Sequence, residues 1–68
     1  MKITKSRKDL TAGTMILHRD GYIMLKSDYD DYHGAYSYID VCIDDDGDVK
    51  EMTTGGLVTP ADLIGSDI

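Results

Sequence analysis

Tyr36-Ser37-Tyr38-Ile39-Asp40-Val41-Cys42-Ile43 runs into Asp44-Asp45-Asp46-Gly47-Asp48 and out again through Val49-Lys50-Glu51-Met52. The first segment alternates with the two-residue period of a β-strand, Ile39, Val41 and Ile43 on one side and Tyr36, Tyr38, Asp40 and Cys42 on the other. The alternation predicts that the aliphatic side faces the core and the tyrosine side faces out. The Asp-rich segment with its single Gly reads as a turn. A two-residue Asp46-Gly47 turn sets Ile43 against Lys50. A three-residue Asp45-Asp46-Gly47 loop, with Gly47 in the left-handed region, sets Ile43 against Val49 and is the better match. A β-hairpin therefore lies at the centre of the chain.

Working outward, residues 14–18 and 22–28 read as two strands joined at Asp20-Gly21, a strong hairpin signal between apolar runs. Ile23 and Leu25 share one face of the second, opposite Tyr22, Met24, Lys26 and Asp28. Asp28 to Gly34 reads as a long, Tyr-rich surface loop. Residues 49–54 form the return strand of the central hairpin, and Gly55-Gly56 is expected to bend the chain. Thr59-Pro60-Ala61-Asp62 reads as a capped helical turn with Thr59 at the N-cap and Pro60 at the first position. Residues 1–9 read as a basic arm or a short first strand. The segment Gly56-Leu57-Val58-Thr59-Pro60-Ala61-Asp62-Leu63-Ile64 resembles the close of an SH3-like barrel, where a Pro-bearing single turn precedes the last strand. It has one extra residue before the Pro, and the aromatic peptide-binding signature near the start of SH3 domains is absent.

The expected fold is therefore all-β or nearly so: a small SH3-like barrel or a strongly bent antiparallel sheet of four to five strands, with one short C-terminal helical turn. A chain of 68 residues holds one domain, here 1–68. Its expected core is Ile3, Leu10, Met15, Ile16, Leu17, Ile23, Leu25, Ile39, Val41, Ile43, Val49, Met52, Leu57, Val58, Leu63 and Ile64, with no Phe or Trp available. Cys42 is the single cysteine, so no disulfide framework forms within one chain, and a reducing cytoplasm is the expected compartment. The basic residues near the start are followed by no apolar run, unlike a signal peptide, and no segment approaches the roughly 20 apolar residues of a membrane span.

Charge is the most informative global property. Residues 1–8 carry Lys2, Lys5, Arg7 and Lys8 and no acid, a local +4, whereas residues 9–68 carry three bases and thirteen acids, a local −10, for a net −6. Twelve of the thirteen acids are Asp, which favours turns and strand ends over element interiors. A −10 body repels phosphate, which argues against direct nucleic-acid binding.

No catalytic or metal-binding constellation is assembled. Counted from Asp44, the EF-hand pattern needs Gly at its sixth position and Glu at its twelfth, where Val49 and Gly55 stand. His18, His33 and Cys42 have unrelated spacings. Cys42 is flanked on its own strand face by Asp40 and Asp44 rather than by the basic groups that activate a thiol. The paired carboxylates Asp30-Asp31 and Asp45-Asp46 fall in expected turns, away from any shelter that would divide acid from base roles. The chain is expected to be non-enzymatic, without cofactor or metal.

One cluster remains. Tyr29, Tyr32, Tyr36 and Tyr38 are interleaved with Asp28, Asp30, Asp31 and Asp40. Tyr is enriched at protein interfaces, and rows of carboxylates engage Arg and Lys. These eight residues are the expected protein-binding surface, and its partner a protein with a basic surface. In size, charge and lack of a catalytic motif the chain resembles phage-encoded inhibitors of host nucleases, including anti-CRISPR and anti-restriction proteins. That resemblance implies imitation of nucleic acid toward a host enzyme, in the host cytoplasm. The alternative expectation is a structural or accessory subunit of a virion or larger cytoplasmic assembly, with homo-oligomers open to it.

Overall fold

The computed structural model describes residues 1–68. Four strands follow one another, β1 (Met15–His18), β2 (Gly21–Leu25), β3 (Tyr36–Ile43) and β4 (Val49–Val58), and a single 3₁₀ turn, Ala61–Leu63, closes the sequence of elements. They form one antiparallel sheet in the order β1-β2-β3-β4, each strand beside its neighbour in sequence. The sheet does not close on itself, so of the two expected architectures it is the open, bent sheet. No helix is long and apolar enough to cross a membrane.

The turns follow local chemistry. Ile43 pairs with Val49 and Gly47 has φ 82°, as the three-residue loop requires. Asp44 anchors that loop by accepting the Asp46 and Asp48 N–H groups on Oδ1, at 3.0 and 2.9 Å. At the first hairpin His18 pairs with Gly21, so Arg19 and Asp20 make the turn and Gly21, with φ 124°, begins β2. The Asp-Gly signal located the turn one residue late. The 3₁₀ turn likewise begins one residue later than expected, but Thr59 Oγ1 still accepts the Asp62 N–H at 3.2 Å.

Gly55-Gly56 does not bend the chain away, contrary to expectation; β4 runs through both. The reason is close approach. A Cβ on Gly55 would lie 2.2 Å from the Tyr38 carbonyl oxygen and 3.0 Å from Ile39 Cα. Glycine here lets β4 press onto β3. Next to it the register slips: Ile39 pairs with Gly55 but Val41 with Glu51, so Met52, Thr53 and Thr54 stand opposite Asp40 alone. This bulge bends the strand pair and divides the hairpin into a base and a tip.

The register also decides which face is buried. Leu25 lies opposite Tyr38 and Ile23 opposite Asp40. In an antiparallel pair, opposed side chains share a face, so Tyr36 and Tyr38 belong with Ile16, Ile23 and Leu25. That is the core side, closed by Ile3, Leu10, Val58 and Leu63. The expected orientation of β3 is thus reversed for the core: Tyr36 is fully buried, and Ile39 lies on the other face with Met15 and Met24, the three in one cross-strand row. Val41 is buried as expected, whereas Leu17, Ile43, Val49, Met52, Leu57 and Ile64, expected inside, are exposed. The alternation was real, but both faces carry apolar groups, and burial goes to the face that the arm and the 3₁₀ turn cover.

The two sheet edges differ. Along β1, Leu17 and Asp67 exchange N–H···O bonds of 2.8 and 3.1 Å, and beyond them Ile3 bonds Ser66 and Gly65 at 2.7 and 2.8 Å. The arm is therefore partly strand-like, and the tail lies between it and β1. Along β4 nothing pairs with the outer edge.

Two substitutions test this packing. Gly55→Ala should destabilise the protein by about 1–3 kcal/mol, since backbone rather than a side-chain tip must move. Tyr36→Phe should cost about 1–2 kcal/mol by stranding the groups its hydroxyl bonds, the Arg7 carbonyl and the Leu10 N–H. Urea unfolding of both variants reads these values directly.

Candidate functional site

The eight residues expected to form one surface fall into three groups. Tyr29 and Tyr36 go inward. The Tyr36 hydroxyl donates to the Arg7 carbonyl at 2.6 Å and accepts the Leu10 N–H at 3.4 Å, which satisfies its polar end inside the core. Tyr29 meets Tyr36 edge-on, ring centroids 5.6 Å apart, with the Lys8 ammonium 5.2 Å from its own centroid. Burial holds the Tyr36 phenol above its usual range, because a phenolate there would lose its water. Tyr36 is thereby removed from the expected binding surface.

The second group is the β2–β3 loop. Asp28 Oδ1 accepts the Ala12 N–H at 2.9 Å, tying the loop to the segment before β1. Asp30 Oδ1 accepts the Tyr32 N–H at 2.9 Å, and its other oxygen pairs with His33 Nδ1. The His33 contact, followed by the Tyr32 N–H, draws the Asp30 carboxyl below its ordinary value. Asp30 also bonds Ala35 and Gly34 through its backbone, so it shapes a tight loop. Asp31 and Tyr32 are left at the exposed tip, where Tyr32 stacks edge-on with His33.

The third group, Tyr38 and Asp40, lies two and four residues further along β3 and lines a cleft of about 220 Å³. The cleft opens between the β1–β2 turn, β3, the end of β4 and the 3₁₀ turn. Its walls are His18, Arg19, Asp20, Ile23, Tyr38, Asp40, Leu57, Val58 and Asp62. Three aspartates and one arginine share this mostly polar lining with Ile23, Leu57 and Val58. Asp40 Oδ2 accepts the Thr54 hydroxyl at 2.8 Å, which leaves its other oxygen without a protein donor. His18 braces the opposite wall: Nε2 lies 3.2 Å from the Asp62 carbonyl oxygen, and Nδ1 lies 3.4 Å from the Asp20 N–H. The volume falls below the roughly 300–1,000 Å³ of small-molecule sites and suits a single side chain.

Asp20, Asp62 and His18 were not expected at a site with Tyr38 and Asp40. The only signal was indirect: Asp20 beside a hairpin Gly, and Asp62 in the first turn after Pro60. Only tertiary structure brings them together.

At the hairpin tip, one carboxylate oxygen each from Asp44, Asp46 and Asp48 lies within 4.8 Å of the others. Asp44 Oδ1 is already engaged by two backbone N–H groups, which makes this the frame of an acidic turn. No family model, curated protein or solved structure matches the chain.

The loop has a defined acid response. The folded-state pKa of Asp30 lies below its ordinary 3.8, so the stability it contributes is complete above that value and is lost as pH falls through the folded pKa. Melting temperatures of the parent and of Asp30→Asn should therefore differ at pH 5 and converge as pH drops below about 4.

Proposed function

We propose that this chain is a non-catalytic acidic module that binds a basic surface of another protein, as an inhibitor occupying a nucleic-acid-binding enzyme would. One observation carries the reading: the cleft in which Tyr38 and Asp40 meet Asp20 and Asp62 over Ile23 and Val58. An Arg or Lys side chain of the partner fits this lining. Its aliphatic stem packs against Leu57, Ile23 and Val58, the Tyr38 ring supplies a flat contact, and the carboxylates accept charge-assisted hydrogen bonds. Asp31 and Tyr32 at the loop tip supply a further outward contact. The acidity of the body steers a cationic partner toward this face and disfavours phosphate.

A second reading, a structural or accessory subunit of a larger assembly, has its own support. The sheet face opposite the core carries Met15, Met24 and Ile39 in one row and Leu17 beside Tyr22, the last two exposed. An apolar face of this kind packs against a neighbour by area rather than by charge.

Salt separates the two. With the protein immobilised and an arginine-rich peptide as probe, Asp40→Asn should slow association, by an amount that shrinks as salt rises. Tyr38→Ala should speed dissociation at every salt concentration, by about 2 kcal/mol if the ring is the anchor. A pull-down from host lysate at low and high salt then identifies the natural partner. If both variants bind the peptide as the parent does, the cleft is not the working site and the assembly reading takes precedence.

A further inference from the structure

The free edge of β4 offers a second mode of contact, made by main-chain groups and meeting the cleft only at Leu57 and Val58. Its main-chain polarity follows from hydrogen bonds elsewhere. The Lys26 N–H donates to the Ser37 carbonyl at 2.8 Å, so Ser37 turns its backbone groups toward β2. Its neighbours Tyr36 and Tyr38 then turn theirs toward β4, because consecutive residues of a strand alternate. Their partners Val58 and Gly56 face β3, which leaves the N–H and C=O groups of Leu57 and Gly55 facing outward. At the tip, Asp44 N–H donates to the Asp48 carbonyl at 3.0 Å, so Asp48 and Lys50 face β3 while Val49 and Glu51 face outward.

Nothing in the chain pairs with these outward groups. Every residue of β4 except Val58 is exposed, including the apolar Val49, Met52 and Leu57. Proteins commonly blunt such an edge by shortening it, covering it, closing the sheet, placing charges on it or bulging it. Here the opposite edge pairs with the tail at Asp67, whereas β4, with Lys50, Glu51 and the bulge at Met52–Thr54 along it, leaves its outward groups on both sides of the bulge unpaired. Its charge is uneven along its length. At its start stand Asp44, Asp45, Asp46 and Asp48, with Lys50 reaching only 4.0 Å from Asp44, and its far half, Thr53 to Val58, carries no charge.

We infer that β4 receives an extended segment of a partner protein as a fifth, antiparallel strand. The segment is uncharged at its N-terminal end, beside Thr53–Val58, and basic at its C-terminal end, beside the aspartates. Main-chain hydrogen bonds supply attachment, and the lysines or arginines fix direction and register. Charge argues against a second copy as the occupant, because two chains of net −6 would meet along this edge.

The test is amide exchange followed by NMR, with a peptide of four Thr-Val repeats ending in four lysines as the probe. Bound peptide should slow exchange about tenfold or more at Val49, Glu51, Gly55 and Leu57, while Lys50, Gly56 and Val58, already bonded to β3, change little. A peptide ending in four glutamates, and one with its lysines placed first, should protect these amides far less. Glu51→Pro removes one outward N–H, as edge strands tolerate, and should weaken peptide binding while the melting temperature stays near the parent's. Should that variant unfold, the alternating pattern in the parent decides the matter alone. Three outcomes overturn the inference: no added protection at millimolar peptide, protection that does not alternate, or the same protection on raising the protein concentration without peptide.

Discussion

The hydroxyl of Tyr36 holds this structure together. With no Phe or Trp, the core is built from aliphatic side chains around one fully buried ring, and that ring carries an oxygen that needs partners. It finds them in the arm, at Arg7 and Leu10. The same contact thus solvates the phenol and lays residues 3–10 over the sheet, closing the core side with Ile3 and Leu10. Tyr29 packs on Tyr36, and Lys8 sits over Tyr29, so the basic arm is fastened to the acidic body through aromatic rings as well as backbone. Arg7 and Asp9 form a bidentate pair beside it that helps fix the arm's path. In a small domain, one satisfied buried polar group of this kind is a large fraction of net stability.

The division of the chain into a buried and a displayed half follows from the sheet. One face is covered by the arm and the 3₁₀ turn, and where the cover ends the cleft begins. Asp40 and Tyr38 are at the cleft because β3 continues past the cover, and the β4 bulge places Thr54 on Asp40. Further out, the hairpin tip extends beyond the core and carries most of its residues in water. The carboxylates are therefore displayed from turns and strand ends, where those of Asp28, Asp30 and Asp44 also accept the backbone N–H groups of Ala12, Tyr32 and Asp46. Much of the acidity has local structural work as well as a long-range field.

The strands and turns were legible because their signals are local. Gly47 dictates a three-residue loop whatever lies around it, and period-two alternation marks residues 36–43 as a strand in any environment. The buried face of that strand was not legible, because Ile39 and Tyr36 are both apolar enough for a core and only the cross-strand register with Ile23 and Leu25 chooses between them. Gly55-Gly56 was misread for a related reason: a glycine pair signals a bend or a close approach equally, and the Tyr38 carbonyl that decides it lies on another strand. Of the expected surface, Asp31 and Tyr32 are exposed and Tyr38 and Asp40 share a cleft, while Tyr36 is core. Asp28 is engaged by the Ala12 N–H, and Asp30 by the Tyr32 N–H and His33. Sequence proximity gathered these residues, but a strand, a loop and a core distribute them.

The pairing of residues 1–3 with 65–68 has a kinetic consequence. Every hairpin of the sheet joins neighbours in the chain, and such local pairs form within about 1–10 μs. The contact between Met1 and Ile68 joins residues 67 apart, so it carries the largest loop-closure entropy in the molecule. In the folded chain the two ends hold Ile3 and Leu63 in the core against the sheet. The contact between the two ends thus adds non-local span to a sheet whose own pairings are all between neighbouring strands.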